Sequence, residues 1–254
     1  MKFKSIHVEI GDRAAKIILD DPPLNILDIP MMEEIYAALR ELRETADFLI
    51  FRGAGEKGFS AGADVRDHAP ERAAKMLEAF HGIIRQVASA EWITVAAVHG
   101  VCLGGGCELA TFCDFVIADE TATFGQPEIK LGCFPPVGVV TFPRLIGPRA
   151  ATDLILTGRT IPANEAREIG LVTRVVPAGK AGEAAAELVD EFRSLSPSAL
   201  RLSRQALGRF RGHGFEEALR ASEELYIRGL LHTHDATEGV RAFLEKRNPV
   251  WQGR

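Results

Sequence analysis

Twice in the first half of the chain an apolar, strand-like run breaks into a glycine-rich stretch and resumes as a helical pattern, at Phe59–Asp64 (F-S-A-G-A-D) and at His99–Glu108 (H-G-V-C-L-G-G-G-C-E). This repeated order constrains the fold more than any other feature. A strand that leads through a loop and a helix to the next strand gives parallel pairing by crossovers, with the loops gathered at one edge where chemistry can be placed. An α/β fold is therefore expected for the first two-thirds of the chain.

The flanking pattern agrees. Ile6, Val8 and Ile10 alternate with His7 and Glu9, Gly11-Asp12 punctuates, and Ala15 to Leu19 completes an opening β-hairpin. After the polar loop DDPPLN, Asp28 is placed to cap a helix from about Pro30 to Glu44, striped by Met31, Ile35, Ala38, Leu39 and Leu42. Strands are expected at Phe48–Phe51, at residues 93–98 and at residues 115–119, with a helix bearing Met76, Leu77, Phe80, Ile83, Ile84 and Val87 on one face between the first two. From about Gly138 the pattern becomes helical apart from a short strand at Leu171–Val176. The last two helices, EEALRASEELYIRGLL and DATEGVRAFLEKR, carry apolar stripes that need a partner, either the core or another subunit.

Composition narrows the functional classes. A chain of 254 residues with 46% hydrophobic residues buries a sizeable core. Its formal net charge of -5 argues against a surface built to neutralise nucleic-acid phosphates, so an anionic ligand must be met by a few placed cations and amides. The N-terminal segment alternates polar and apolar residues, without the apolar run of a signal peptide or membrane helix, and a cytoplasmic location is expected. Cys102, Cys107, Cys113 and Cys133 have no CxxC or Cys/His ligand spacing and read as reduced, packed thiols.

Neither glycine-rich junction matches a dinucleotide or Walker fingerprint. Small residues there leave backbone N–H groups unobstructed, and two such groups converging on one point would form an oxyanion hole; tight turns without catalytic amides are the plain alternative. Two carboxylates lie beside them, Glu108 in GGGCELA and Glu128 in FGQPEIKLG, each among apolar residues. Semi-buried carboxyls have raised pKa values and serve as general acids or bases, although a lone Glu is more often a cap or an ion-pair partner. Ser60 lacks a GxSxG setting and reads as structural. His99 reads as a hydrogen-bonding residue that holds the loop, Asp114 and Asp119 as turn-fixing residues, and His232 with His234 as too little for a metal site.

The segments KGFSAGADV, AAVHGVCLGGGCELATFCDFVIADETATFGQPEIKLG and LTGRTIPANEAREIGLVTRVV resemble, in order and spacing, successive signature segments of the crotonase (enoyl-CoA hydratase/isomerase) superfamily over roughly residues 5 to 248. The resemblance implies a crotonase-like ββα superhelix core at residues 1–195 with the CoA and catalytic sites. It also implies a C-terminal helical region at 196–254 that packs on the core or a neighbouring subunit, in a homotrimer or homohexamer. Its oxyanion hole falls on the backbone N–H groups of Ala63 and Gly105, where losing one donor typically costs on the order of 3 kcal/mol. CoA contacts are carried to Leu24, Ala61, Asp64, Val65, Phe243 and Lys246, with CoA entering as part of the substrate and neither metal nor redox cofactor. Glu108 and Glu128 fall on the two glutamates used for hydration, Glu108 for water and Glu128 for the proton delivered to the α-carbon.

One segment departs from the family. CFPPVGVVTFPRL stands where hydratases commonly carry IPGAGGTQRL, with Pro136 at a usual glycine and bulky Val137 and Val139, which puts a plain straight-chain enoyl substrate in doubt. Together with DPPLNILDIPMMEEI, it looks like cyclohexa-1,5-diene-1-carbonyl-CoA hydratases and points to 1,4-addition of water to a cyclic dienoyl thioester. An enoyl-CoA isomerase, or a CoA-thioester or RNA-binding protein without catalysis, stays as the alternative.

Overall fold

The computed structural model describes residues 3–68, 70–209, 232–235, 238, 242 and 245–254. The first of the two predicted C-terminal helices, and most of the second, lie outside the described residues. The chain divides into two compact units, Met1–Ala90 with Thr94–Glu187, and Glu91–Ile93 with Leu188–Arg254.

The main sheet has six strands: β1 (Ile6–Gly11), β2 (Ala14–Leu19), β3 (Phe48–Gly53), β5 (Ile93–Val98), β7 (Phe115–Asp119) and β10 (Arg174–Val176), adjacent in that order. β1 and β2 form the expected hairpin, while β2–β3, β5–β7 and β7–β10 pair in parallel. All six residues of β5 are buried, as a strand covered on both faces requires. α1 (Ile29–Leu42) starts at Asp28, whose carboxylate accepts from Met31 N–H at 2.8 Å, and it buries Met31, Ile35, Ala38, Leu39 and Leu42 as read from the stripe. Helix α2 (Pro70–Ser89) packs against it.

A second sheet was not anticipated. β4 (Gly58–Ser60), β6 (Val101–Leu103), β8 (Thr123–Gly125) and β9 (Thr160–Pro162) lie side by side, the first three parallel. Strands of three residues carry no usable alternation. The glycine-rich junctions are therefore strands of this sheet as well as turns, with β6 running directly into α3 (Gly105–Phe112). Beyond it come α4 (Gly138–Leu145), α5 (Gly147–Thr157), α6 (Ala163–Glu168), α7 (Ala181–Arg193) and α8 (Pro197–Arg209). The strand expected from Leu171 begins only at Arg174, because Leu171 and Val172 N–H groups both cap α6 through the Ala166 carbonyl.

In the second unit, buried Asp235 accepts from Ser196 Oγ at 2.8 Å and from the Gln252 and Gly253 amides at 2.7 and 2.9 Å, which ties down the chain's last residues. No described helix is long and apolar enough to cross a membrane.

Candidate active site

The first junction is set by Leu27 and Asn25. Leu27 donates to the Gly62 carbonyl at 2.9 Å and accepts from Asp64 N–H at 3.2 Å, gripping the backbone on both sides of Ala63. Buried Asn25, at φ 49°, spreads its side-chain amide over the Ala54, Gly58 and Phe59 carbonyls at 3.0, 3.0 and 3.2 Å. Ser60 Oγ donates to the Asn25 carbonyl at 2.7 Å and accepts from Gly62 N–H at 3.1 Å, which is the structural part read for it.

At the second junction Gly104 turns with φ 52° and its N–H donates to the Gly125 carbonyl at 3.0 Å, so Gly105 becomes the first helical residue of α3. The opening amides of a helix have no intrahelical acceptor and carry the positive end of its dipole. Among the described residues, nothing accepts a hydrogen bond from Ala63 N–H or Gly105 N–H. A Cβ on Gly105 would lie 3.6 Å from Ala63 N and 3.6 Å from the Phe80 ring, so the two free amides border one small space.

Both glutamates reach the same place. Glu108, in the first turn of α3 and 3% exposed, accepts from Gly138 N–H at 2.6 Å, so that its carboxylate caps α4. Glu128 sits on the one-turn 3-10 helix Pro127–Leu131 and is 8% exposed; a Cβ on Gly104 would lie 2.8 Å from its Oε1. The Gln126 side-chain nitrogen, oriented to satisfy its neighbours, donates to both Glu128 oxygens at 3.2 and 3.1 Å.

Their electrostatics follow from burial. Desolvation pushes Glu108 up to about 7, the nearby Glu128 charge adds to it, and the Gly138 and Val137 amides oppose it. Glu128 is raised as well, chiefly by burial, while its own backbone amide and the His68 charge draw it back. Two buried carboxyls that feel each other titrate as a pair.

Leu24, Ala61, Asp64 and Val65 also gather at the first junction: Ala61 N–H donates to the Leu24 carbonyl at 2.9 Å, and Val65 is 60% exposed. The Asp64 carboxylate is held by Arg66, whose hydrogen bonds pull it below the usual range even though burial works the other way. Lys246 is exposed in the second unit, and Phe243 lies outside the described residues.

His99 proves to hold a different loop from the one beside it. Its Nε2 bonds the Gly55 carbonyl at 3.0 Å, across to the turn before β4. Asp119 serves a turn as read, accepting from Thr121 N–H at 2.9 Å, whereas Asp114 does not: it reaches 20 positions back to strand β5, accepting from Thr94 N–H at 2.9 Å and Thr94 Oγ1 at 2.8 Å. Cys102, Cys107 and Cys113 are buried thiols in no disulfide, and Cys133 is a half-buried one. Reading the sequence missed Gln126, Asn25 and the Gly138 amide. For Gln126 a signal existed, an amide two residues from a glutamate in an apolar stretch; for Asn25 and Gly138 the contacts are long-range and leave no local trace.

The enoyl-CoA hydratase/isomerase family model matches residues 9–254. A probable enoyl-CoA hydratase of Mycobacterium bovis is 41% identical, over 100% of both chains. The cyclohexa-1,5-dienecarbonyl-CoA hydratase of Thauera aromatica is 36% identical over 98% of this chain and 96% of its own. A crystal structure of enoyl-CoA hydratase from Bacillus anthracis superposes with a TM-score of 0.92 at 36% identity, covering 99% of this chain and 100% of that one. With two free amides and two buried carboxyls gathered where the sheets meet their helices, the chain belongs to the enoyl-CoA hydratase/isomerase family of the crotonase superfamily.

Proposed function

We propose that the protein is a hydratase that adds water across the α,β-double bond of an acyl-CoA thioester. The observation that carries the reading is the pairing of Glu108 and Glu128, both buried and both raised by that burial, beside the unpaired Ala63 and Gly105 amides. In this reading the thioester oxygen lies between the two amides, which hold the negative charge as the enolate forms. Glu108, oriented by the α4 amides, takes a proton from the attacking water while Glu128 returns one to the α-carbon. An isomerase needs only to move one proton, so two carboxyls held this way favour hydration. CoA is proposed to run along Leu24, Ala61, Asp64 and Val65, with Phe243 and Lys246 contributing near a subunit boundary.

A cyclic dienoyl thioester is the proposed acyl group. The Thauera relative and the FPP segment, with Pro136 and Val137 immediately before the Gly138 amide that holds Glu108, support it. Purified protein would be offered crotonyl-CoA, longer enoyl-CoAs and cyclohexa-1,5-diene-1-carbonyl-CoA, with products weighed for added water. Turnover mainly of the diene is expected; faster crotonyl-CoA hydration would overturn the cyclic assignment, and no hydration of any thioester would overturn the hydratase reading. A homotrimer or homohexamer in the cytoplasm is proposed alongside, supported by exposed Leu131, Phe134, Val140 and Leu156. Sedimentation as a monomer at micromolar concentration would refute it.

A further inference from the structure

Asp67 is a buried carboxylate that the hydration chemistry leaves unused, and it is bonded on both sides. It lies in the one-turn 3-10 helix Val65–His68, just after Ala63, and is 2% exposed. Its Oδ2 accepts from Ile29 N–H at 3.2 Å, 38 positions earlier in the chain. Its Oδ1 accepts from Arg72 Nε–H at 2.7 Å, and Arg72 Nη2 lies 2.6 Å from the same oxygen.

These bonds close a ring around the Ala63 amide. Leu27 grips Gly62 and Asp64 on either side of Ala63, and two residues further along is Ile29, which Asp67 holds. Asp67 returns to Asp64 by donating its own N–H to the Asp64 carbonyl at 2.9 Å. The 27–29 segment and the 64–67 turn are thus joined twice, by backbone at Leu27 and by a side chain at Ile29. Ile29 N–H opens α1, where an amide has no intrahelical acceptor; the Asp28 cap serves Met31, and Asp67 serves Ile29. Arg72 brings in α2, whose Phe80 ring stands 3.6 Å from a Cβ on Gly105. A buried charge is costly even when paired, and a packed apolar residue often stabilises a fold as well. What the carboxylate adds is direction, since donors from two other elements meet its two oxygens.

We propose that Asp67, clamped by Arg72, is a positioning residue for the oxyanion hole, tying the turn after Ala63 to α1 and α2 and so fixing where the Ala63 N–H points. The inference rests on the reading that the Ala63 and Gly105 amides receive the thioester oxygen. Without the Asp67 bridge the rung at Leu27 remains, but the turn gains freedom and the Ala63 amide loses alignment. Gly105, set by the start of α3, keeps its own. The thioester still binds; what weakens is the hold on charge that develops only as the enolate forms. Turnover should therefore fall while KM holds.

Two variants test it. Asp67→Asn leaves an oxygen for the Ile29 amide but removes the charge that Arg72 binds, and Arg72→Met frees Asp67 Oδ1 by a change at an exposed side chain. Butyryl-CoA and cyclohexanecarbonyl-CoA, saturated so that no water adds, would carry carbon-13 at the thioester carbonyl and be bound to the full chain for NMR. Amides aimed at the oxygen polarise the carbonyl, so in the unmodified protein the bound signal should stand away from the free one. In the variants that displacement should shrink. For the thioester hydrated fastest, kcat should fall about 10–100-fold with KM within about threefold. A part in folding alone would lower the melting temperature yet leave the displacement and kcat of the folded protein in place, and that result overturns the proposal. If Asp67→Asn does not fold, Arg72→Met decides by the same reading. No displacement, or no binding of either thioester, in the unmodified protein would overturn the oxyanion reading and the proposal with it.

Discussion

The two sheets hold together by different means. In the six-stranded sheet, residues such as Ile17, Leu49, Val95 and Ile117 are wholly buried, and the strands are held by side-chain burial. In the four-stranded sheet the strands are three residues long and the backbones touch; a Cβ on Gly58 would lie 2.3 Å from Val101 N and 2.5 Å from its carbonyl oxygen. The first kind of sheet absorbs small changes in side-chain volume. The second tolerates none where backbone meets backbone, and it is the one that presents both free amides. The contrast assigns stability to one sheet and the geometry of the site to the other.

The largest expected effect breaks the second sheet. Gly58→Ala forces a methyl group into the β6 backbone, which has no flexible end to yield, and soluble folded protein should be lost on expression. Next come Glu108→Gln and Glu128→Gln, each expected to lower kcat by about 10²–10⁴-fold with circular dichroism unchanged, the usual worth of a positioned acid or base. Equal activity in either variant would remove that carboxyl from the chemistry.

Gly105→Ala sharpens the contrast because Gly105 follows β6, the strand that Gly58 packs against, yet has room, its Cβ meeting Ala63 N and Phe80 at ordinary 3.6 Å contact. The methyl group would occupy the space between the two amides. A fall of about 10²–10³-fold in kcat with the melting temperature held is expected, comparable to losing one oxyanion donor.

A smaller effect concerns pH. Glu108 is raised from 4.5 to about 7, so between those values the folded state keeps a proton that the unfolded chain releases. Stability therefore falls as pH rises through that window and levels off above it. Glu108→Gln should relieve this, with a gain of up to about 3 kcal/mol at pH 8 and little at pH 4, read by denaturant unfolding. Smallest is Ile17→Val in β2, expected to cost about 0.5–1.5 kcal/mol and to leave kcat alone.

Much of this was legible before any coordinates. The hairpin, α1 with its Asp28 cap, β3, β5 and β7 each carry a local signal: alternation, a stripe or a continuous apolar run. The glycine-rich junctions and the two carboxyls beside them stood out locally, while Ala63 and Gly105, and the catalytic parts of Glu108 and Glu128, came from the family resemblance. The four-stranded sheet did not stand out, since a three-residue strand such as β8 has no period to detect.

Sequence alone determined the longer strands and helices, the family and the residue types available for chemistry, because periodicity, capping and motif order are written along the chain. Tertiary structure decided which amides stay unpaired, that Gly138 holds Glu108 across 30 positions, that Gln126 faces Glu128, and that His99 bonds Gly55 44 positions away. The physical reason is range. Periodicity and capping are set within a turn or a strand, whereas a site is a convergence of distant backbone groups whose distances exist only once the chain has closed on itself.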